Sequence, residues 1–530
     1  MNAGAFSRRT LTRFLGLVGG CLLALGAGPR PAQGQTAAAA NTNGPATTAD
    51  LRARIQQILS QPRYDSALWG VKVVQLARHQ VVFEANAGKL FSPASNTKLY
   101  TMALALDRLG PEFRIRTSLY ATTPPDAAGT VAGDLVLFGR GDPTLNARLH
   151  GGSLDRALEP LVAALTNAGI HRITGDIIGD DSFFHGPPIG GAWEWEDLQE
   201  GYGAEISALS LNDNTVKVVV KPGAEIGAPG RVTLSPPTGY LAVSNRTRTV
   251  AKGPHREISL YRPLGENVVY VSGGVVVDDA TGFSDDVAIH NPAGWFATRF
   301  QELLARNGIV VGGRARSMNW LDREVQPADL AHWRELGAVE SLPMSDLLGE
   351  VLKPSQNLYT DLLLAQVGMH QLKGRALGEG ETSEAAGLRA LRTFLGEAGV
   401  PRAGVVLNEG SGLSRNNLVS PNATVALLEF MHRHPQGRLY AEALPIAGVD
   451  GSLRRRMKGT AAEGKVHAKT GTLAAAISLA GYVTTAGGEP LAFALMLNRF
   501  QGGGDDRPKT ADLDAIAVLL AGFNGRLEQP

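Results

Sequence analysis

Ser92-Pro93-Ala94-Ser95-Asn96-Thr97-Lys98, followed by Leu99–Leu109 and closed by Gly110-Pro111, reads as a polar turn feeding one helix with a glycine stop. Before it, Val71, Val73 and Gln75-Leu76, then Val81–Phe83, give two short strands separated by Arg78-His79-Gln80, a hairpin pattern. Leu51–Leu59 reads as a helix. At the other end, Leu479–Thr484 and Leu491–Asn498 are strand-like, joined by Ala486-Gly487-Gly488, with a helix near Ala511–Phe523. Met344–Val351, Leu358–Leu372, Ser383–Gly396 and Ser420–His432 carry helical periodicity between them. Strands at both ends with helices between predict an α+β fold whose sheet is built from both chain ends, with a cleft beside the helical part. From about 115 to 330 the texture changes to short β-rich runs punctuated by Gly, Pro and Asp: Gly133–Phe138, Ile173–Ile178, Thr215–Val220, Val268–Val277. The expected plan is one domain in two parts, 51–114 and 331–530, interrupted by a long, mostly β insertion at 115–330.

Composition bounds the function. The 530 residues carry 51 Lys+Arg and 50 Asp+Glu, with 44% hydrophobic residues, ordinary globular usage with enough apolar side chains for more than one core. So even a balance argues against nucleic-acid binding, which favours a basic face. A single Cys excludes a disulfide scaffold and a cysteine zinc cluster.

Residues 1–34 read as a signal peptide: Arg8, Arg9 and Arg13, then the apolar run Phe14–Ala27, then a small-residue site at Ala32-Gln33-Gly34. Ser7-Arg8-Arg9 also fits a twin-arginine signal, so both that route and the general secretory one stay open. A run of 14 apolar residues is short for a bilayer span, although a membrane anchor is the alternative reading. Val18-Gly19-Gly20-Cys21 weakly matches a lipoprotein box, but Cys21 sits inside the apolar run. Cleavage after Gly34 removes four Arg and no acids, leaving a cysteine-free chain of net charge −3. Residues 35–50 are of low complexity and expected to be flexible. Ile516–Phe523 is too short to span a membrane, so the mature chain is expected not to do so.

Ser-x-x-Lys occurs at Ser95/Lys98. About two such pairs arise by chance in this length, and alone this one also fits an N-cap serine with a solvated lysine. Its placement sharpens it: residues three apart share a helix face, and a serine hydroxyl needs an adjacent base. Lys469-Thr470-Gly471 puts an ammonium, a hydroxyl and a glycine beside a strand run, a carboxylate cradle that lets a peptide approach closely; a plain turn is the competing reading. Ser355-Gln356-Asn357 follows Pro354 between two helical runs, the setting for a loop facing a cleft. The same pattern at Ser210, Ser317, Ser414 and Ser420 makes it uninformative alone.

In the order Ser-x-x-Lys, Ser-x-Asn, Lys-Thr-Gly, these motifs resemble the penicillin-recognising serine enzymes. The surrounding words narrow the resemblance: Gly139–Leu145, Trp193–Asp197, Ser207–Asn214, Gly410–Arg415 and His467–Leu473. Over about residues 50–523 the chain resembles the class C low-molecular-mass penicillin-binding proteins, the D-alanyl-D-alanine carboxypeptidase/endopeptidases of peptidase family S13. The resemblance implies a penicillin-binding/β-lactamase-like transpeptidase domain with inserted domains between Ser95 and Ser355. It implies Ser95 as acyl nucleophile, Lys98 as general base and Ser355 as proton relay to the leaving amine. Asn357, Lys469, Thr470 and Gly471 would bind substrate, and the backbone N–H groups of Ser95 and Thr472 would form the oxyanion hole. It further implies an exported enzyme, periplasmic or otherwise extracytoplasmic. Its partners would be peptidoglycan stem peptides and β-lactams, with no nucleic acid, nucleotide, metal or cofactor.

A β-lactamase or esterase of the same superfamily and a non-catalytic peptidoglycan-binding protein are the alternatives. The long insertion speaks against a compact lactamase, and the intact Ser95, Lys98 and Lys469 speak against a binding-only relative. Gly459–Lys465 nearly matches a phosphate loop, but Val466 fills the magnesium-binding position. His432 and His434 lack a third metal ligand and read as surface histidines. The Trp193–Asp197 word is expected to supply packing aromatics.

Overall fold

The computed structural model describes residues 44–253, 257–500 and 508–527. The signal-peptide reading of 1–34 and most of the expected flexible segment lie outside them. The end of that segment is ordered: Thr47 caps a helix spanning Thr48–Leu59, its side chain accepting from Asp50 N at 3.1 Å.

The sheet joining the two chain ends is present. Its five strands run in the order Val466–Leu473, Ala476–Thr484, Pro490–Asn498, Leu68–Gln75, Gln80–Ala85, every neighbouring pair antiparallel. Two C-terminal strands were expected from the sequence and three are found. Val466–Leu473 (VHAKTGTL) was missed because its polar residues break the apolar alternation, and Lys-Thr-Gly lies inside this edge strand rather than ahead of it.

Period two decides what covers the faces. Trp69, Val71 and Val73 share a core with Phe493, Leu495 and Leu497, under the helices Thr48–Leu59 and Ala511–Gly522. The alternate residues Val74, Ala492, Ala494 and Met496 join a second core with Leu427, Leu428 and Met431 of helix Pro421–Arg433. The alanines leave room for that helix to lie close on the sheet. Helices Thr97–Leu109, Met344–Leu352, Asn357–Gln371 and Ser383–Glu397 extend this second core. Asn357–Gly368 is buried on all sides, which makes Asn357–Gln371 the central helix of the layer.

The insertion has its own core. A mixed five-stranded sheet runs Ala315–Met318, Ile177–Asp180, Leu135–Phe138, Arg116–Ala121, Arg334–Glu340, and three three-stranded sheets accompany it among the described residues. Arg334–Glu340 pairs antiparallel with Arg116–Ala121, so this unit's last strand falls beyond residue 330. Strand outweighs helix, but helices Leu154–Asn167 and Pro292–Arg306 pack on the sheet through Leu158, Leu161, Trp295, Phe296 and Phe300. Ser153, capping the first of them, and its apolar spacing at Leu154, Leu158, Leu161 and Leu165 were legible signals.

Phe493 is fully buried on the face under the terminal helices. Phe493→Ala is expected to cost about 3–5 kcal/mol, read as a lower denaturation midpoint. An unchanged midpoint would mean that the terminal helices do not depend on this face.

Candidate active site

Ser95 sits in a one-turn 3-10 segment, Ala94–Asn96, that runs into helix Thr97–Leu109. Ala94 has φ 48°, a left-handed conformation that costs a non-glycine residue about 1–3 kcal/mol. The surroundings hold it: Thr97 Oγ1 donates to Ala94 O at 3.0 Å, and Ser478 Oγ in the sheet donates to Pro93 O at 2.6 Å. Three residues on, Lys98 faces Ser95, with Nζ 3.2 Å from Ser95 Oγ.

Lys98 is completely buried. Its Nζ lies 2.5 Å from Asn357 Oδ1 and 2.6 Å from the backbone oxygen of Ser411. Asn357 Nδ2 donates to Tyr202 O at 2.9 Å, which fixes the amide with its oxygen toward the lysine. Two of the three groups around Nζ are therefore carbonyl oxygens that can only accept. A neutral amine has two N–H bonds for them and one lone pair left for the Ser95 hydroxyl. Burial drives Lys98 toward that form, pushing its pKa down to about 8, with Asp361 and Glu409 opposing the fall by their charge.

Ser355, expected in a loop facing the cleft, reaches the other lysine. It occupies the loop between helices Met344–Leu352 and Asn357–Gln371 in a left-handed conformation, φ 69°. Its Oγ accepts from Lys469 Nζ at 2.7 Å, and Lys469 also donates to Thr470 O at 2.9 Å. Lys469 is fully buried, and burial together with the Lys98 charge holds its proton affinity well below the usual lysine range. A carboxylate arriving here would oppose both effects. Thr470 Oγ1 lies 2.7 Å from Ser452 Oγ.

Strand parity settles which backbone groups face outward from the sheet. Ala468 N bonds to Pro445 O at 2.9 Å, away from the neighbouring strand Ala476–Thr484, and the register from Val466 to Leu473 is unbroken. Thr470 and Thr472 share that parity, so their N–H groups point off the sheet edge. Gly471 lies against the turn that carries Ser95. A Cβ there would come within 2.5 Å of Pro93 O and 3.1 Å of Ser95 N, so only glycine lets the strand approach the serine this closely.

The structure thus brings Ser95, Lys98, Ser355, Asn357, Lys469, Thr470, Gly471 and Thr472 to one edge of the sheet. Several neighbours were not anticipated. The word Gly410–Arg415 was noted without a role; here it supplies Ser411 O to Lys98, while Gly412, φ 92°, passes so close that a Cβ would meet Ala94 O at 2.0 Å. Glu409 anchors this loop. Fully buried, it accepts from Ser411 N at 2.9 Å and Gly412 N at 2.7 Å, and also from Ser411 Oγ and Asn417 Nδ2. The carboxylate just before Gly-Ser-Gly was the signal available. The insertion returns to the site through Tyr202 and through Glu194, which pairs with Arg415 at 2.9 Å. Packing does not describe the whole Trp193–Asp197 word, because Trp195 is 62% exposed.

The D-Ala-D-Ala carboxypeptidase 3 (S13) family model matches residues 51–521. A D-alanyl-D-alanine carboxypeptidase of Actinomadura sp. (strain R39) is 35% identical over 512 residues, covering 94% of this chain and 89% of its own. The D-alanyl-D-alanine carboxypeptidase DacB of Haemophilus influenzae is 27% identical, covering 84% of this chain and 88% of its own. A crystal structure of penicillin binding protein 4 from the same organism superposes with a TM-score of 0.73 at 25% identity, covering 87% of this chain and 97% of that one.

Glu409→Ala would leave two buried backbone N–H groups without their acceptor, at about 1–3 kcal/mol each. Thermal denaturation is expected to show a clear loss of stability. A variant as stable as the wild type would mean that Glu409 does not anchor the loop carrying Ser411.

Proposed function

The chain belongs to the D-Ala-D-Ala carboxypeptidase 3 (S13) family, and from that premise we propose that it is an exported serine DD-peptidase acylated at Ser95. The single observation that carries this reading is the coordination of Lys98 Nζ: two carbonyl acceptors and one serine hydroxyl, inside a site that disfavours the ammonium.

In this reading a stem peptide ending in D-Ala-D-Ala lies along the edge strand Val466–Leu473, adding a strand to the sheet. Its terminal carboxylate is held by Lys469 and Thr470. Lys98 takes the Ser95 proton as Oγ attacks the carbonyl carbon of the penultimate D-Ala. The oxyanion is met by the N–H groups of Ser95 and Thr472, in keeping with the outward parity of Thr472. The tetrahedral intermediate collapses by breaking the peptide C–N bond. The proton held by Lys98 passes to the departing amine, with Ser355 Oγ, already bonded to Lys469, as the relay. Terminal D-Ala leaves, a peptidyl ester remains on Ser95, and water hydrolyses it with Lys98 again as base. The same steps at a D-Ala bond within a cross-link give endopeptidase activity, and a β-lactam acylates Ser95 in place of the peptide. Every proton transfer runs between the side chains of the site, the substrate and water, so the scheme invokes no metal or cofactor. The substrate places the enzyme outside the cytoplasm, in the periplasm or an equivalent space.

Intact mass spectrometry after incubation with benzylpenicillin tests the assignment. The wild type is expected to gain one drug mass and hold it, and Ser95→Ala to gain none. Lys98→Ala should acylate about 10²–10⁴-fold more slowly. A short-lived adduct with rapid drug hydrolysis would replace the peptidase by a β-lactamase. A folded wild type with no adduct would overturn the acyl-enzyme reading and leave a wall-binding module.

A further inference from the structure

A second cavity, of 640 Å³, lies where the helices Asn357–Gln371 and Ser383–Glu397 meet the insertion. Four carboxylates line it: Asp181, Glu205, Asp361 and Glu384. Among the described residues no lysine or arginine lines it. Two of the four have local partners: Glu205 pairs with His290 at 2.7 Å, and Asp181 accepts from Ser207 Oγ at 2.8 Å. The other two are incomplete. Asp361 is 3% exposed; its Oδ1 accepts from Gly410 N at 3.1 Å, its Oδ2 is enclosed with no close hydrogen-bond partner, and the Ser411 side chain and the Lys98 charge act on the carboxyl. Glu384 Oε1 is likewise enclosed without a partner. Buried carboxyl oxygens without partners cost several kcal/mol unless they are protonated or meet a cation. Burial and the neighbouring Glu409 charge push Glu384 up to about 8 and Asp361 well above the usual carboxylate range.

The chemistry selects the cation. Among the described residues no three His, Cys, Asp or Glu side chains converge as metal ligands, which argues against a divalent ion needing several at once. The rest of the wall is largely apolar, with Pro188, Ile189 and Trp320 contributing. An acidic end and an apolar wall fit an ammonium head on a short aliphatic stem. We propose that this cavity binds a small alkylammonium, its head taken by Asp361 and Glu384. Asp361 also acts on Lys98 by its charge, so a cation placed here is felt at the base of the site described above.

The experiment is calorimetric titration of the full chain with butylammonium chloride at about pH 8.5, beside 1-butanol and magnesium chloride. It uses no substrate, so its outcome is independent of the peptidase reading. One-to-one binding of butylammonium is expected, at least about tenfold weaker for 1-butanol and for the Glu384→Gln chain. A second comparison needs no variant. The titratable groups around the head site are Asp361, Glu384, Glu409, Lys98, Asp181, Glu205, His185 and His290, and Lys98, lowered to about 8, gains charge at pH 6. At pH 6 Glu384 also carries its proton and His290, raised by its bond to Glu205, gains charge, so all three changes weaken cation binding. Equal affinity for 1-butanol or for Glu384→Gln, or affinity unchanged between pH 6 and 8.5, would overturn the proposal. So would displacement of the amine by magnesium, which would assign the cavity to a metal.

Discussion

A lysine with no solvent exposure must lose its proton or surround it with acceptors, and the rest of the site follows from how Lys98 meets that condition. Three parts of the chain, far apart in sequence, converge on one nitrogen. The first helical turn brings Ser95, the start of the central helix brings Asn357, and the Gly410–Gly412 loop brings Ser411 O. None of them is placed by local propensity. Ala94 and Ser355 are held in left-handed backbone that each would leave if free. The sheet, through Ser478 and Gly471, fixes the turn that carries Ser95.

Charge balance at the site is set behind the reacting groups rather than among them. Lys98 and Lys469 repel each other inside one buried region, and each lowers its proton affinity through burial. Asp361 and Glu409 restrain that fall at Lys98. Glu409 does two jobs with one carboxylate, since it also fixes the loop presenting Ser411 O. Asp361, one helical turn after Asn357, connects this region to the acidic cavity at the insertion.

Much of this was legible in the residues themselves. The strand-like runs at Val71–Leu76 and Leu491–Asn498 pointed to one sheet built from both chain ends, and the two strands do pair. Three short motifs in order held seven of the eight positions that the fold gathers at one sheet edge, and the family resemblance added Thr472. What escaped has physical reasons. The strand Val466–Leu473 lacks an apolar rhythm because an edge strand at a cleft needs polar residues there. Ser411 contributes a backbone oxygen, which no residue type announces. The division of partners, Ser355 on Lys469 and Asn357 on Lys98, is a matter of tertiary geometry that spacing cannot carry. Tyr202 likewise serves through its carbonyl, from an insertion whose own reading concerned only strand content.

The account stands on Lys98 being the neutral base. The most direct measurement is the second-order rate of Ser95 acylation by benzylpenicillin as a function of pH. A lysine must be unprotonated to accept the serine proton, so below its pKa the rate falls and above it the rate levels off. With Lys98 lowered to about 8 by burial, the rate should climb through that region and reach a plateau above it. Replacing Glu409 by Gln should move the rise to lower pH, because one of the two charges holding the proton is gone. A rate flat from pH 6 to 10, or one rising only near an ordinary lysine's pKa of about 10.4, would contradict the central claim.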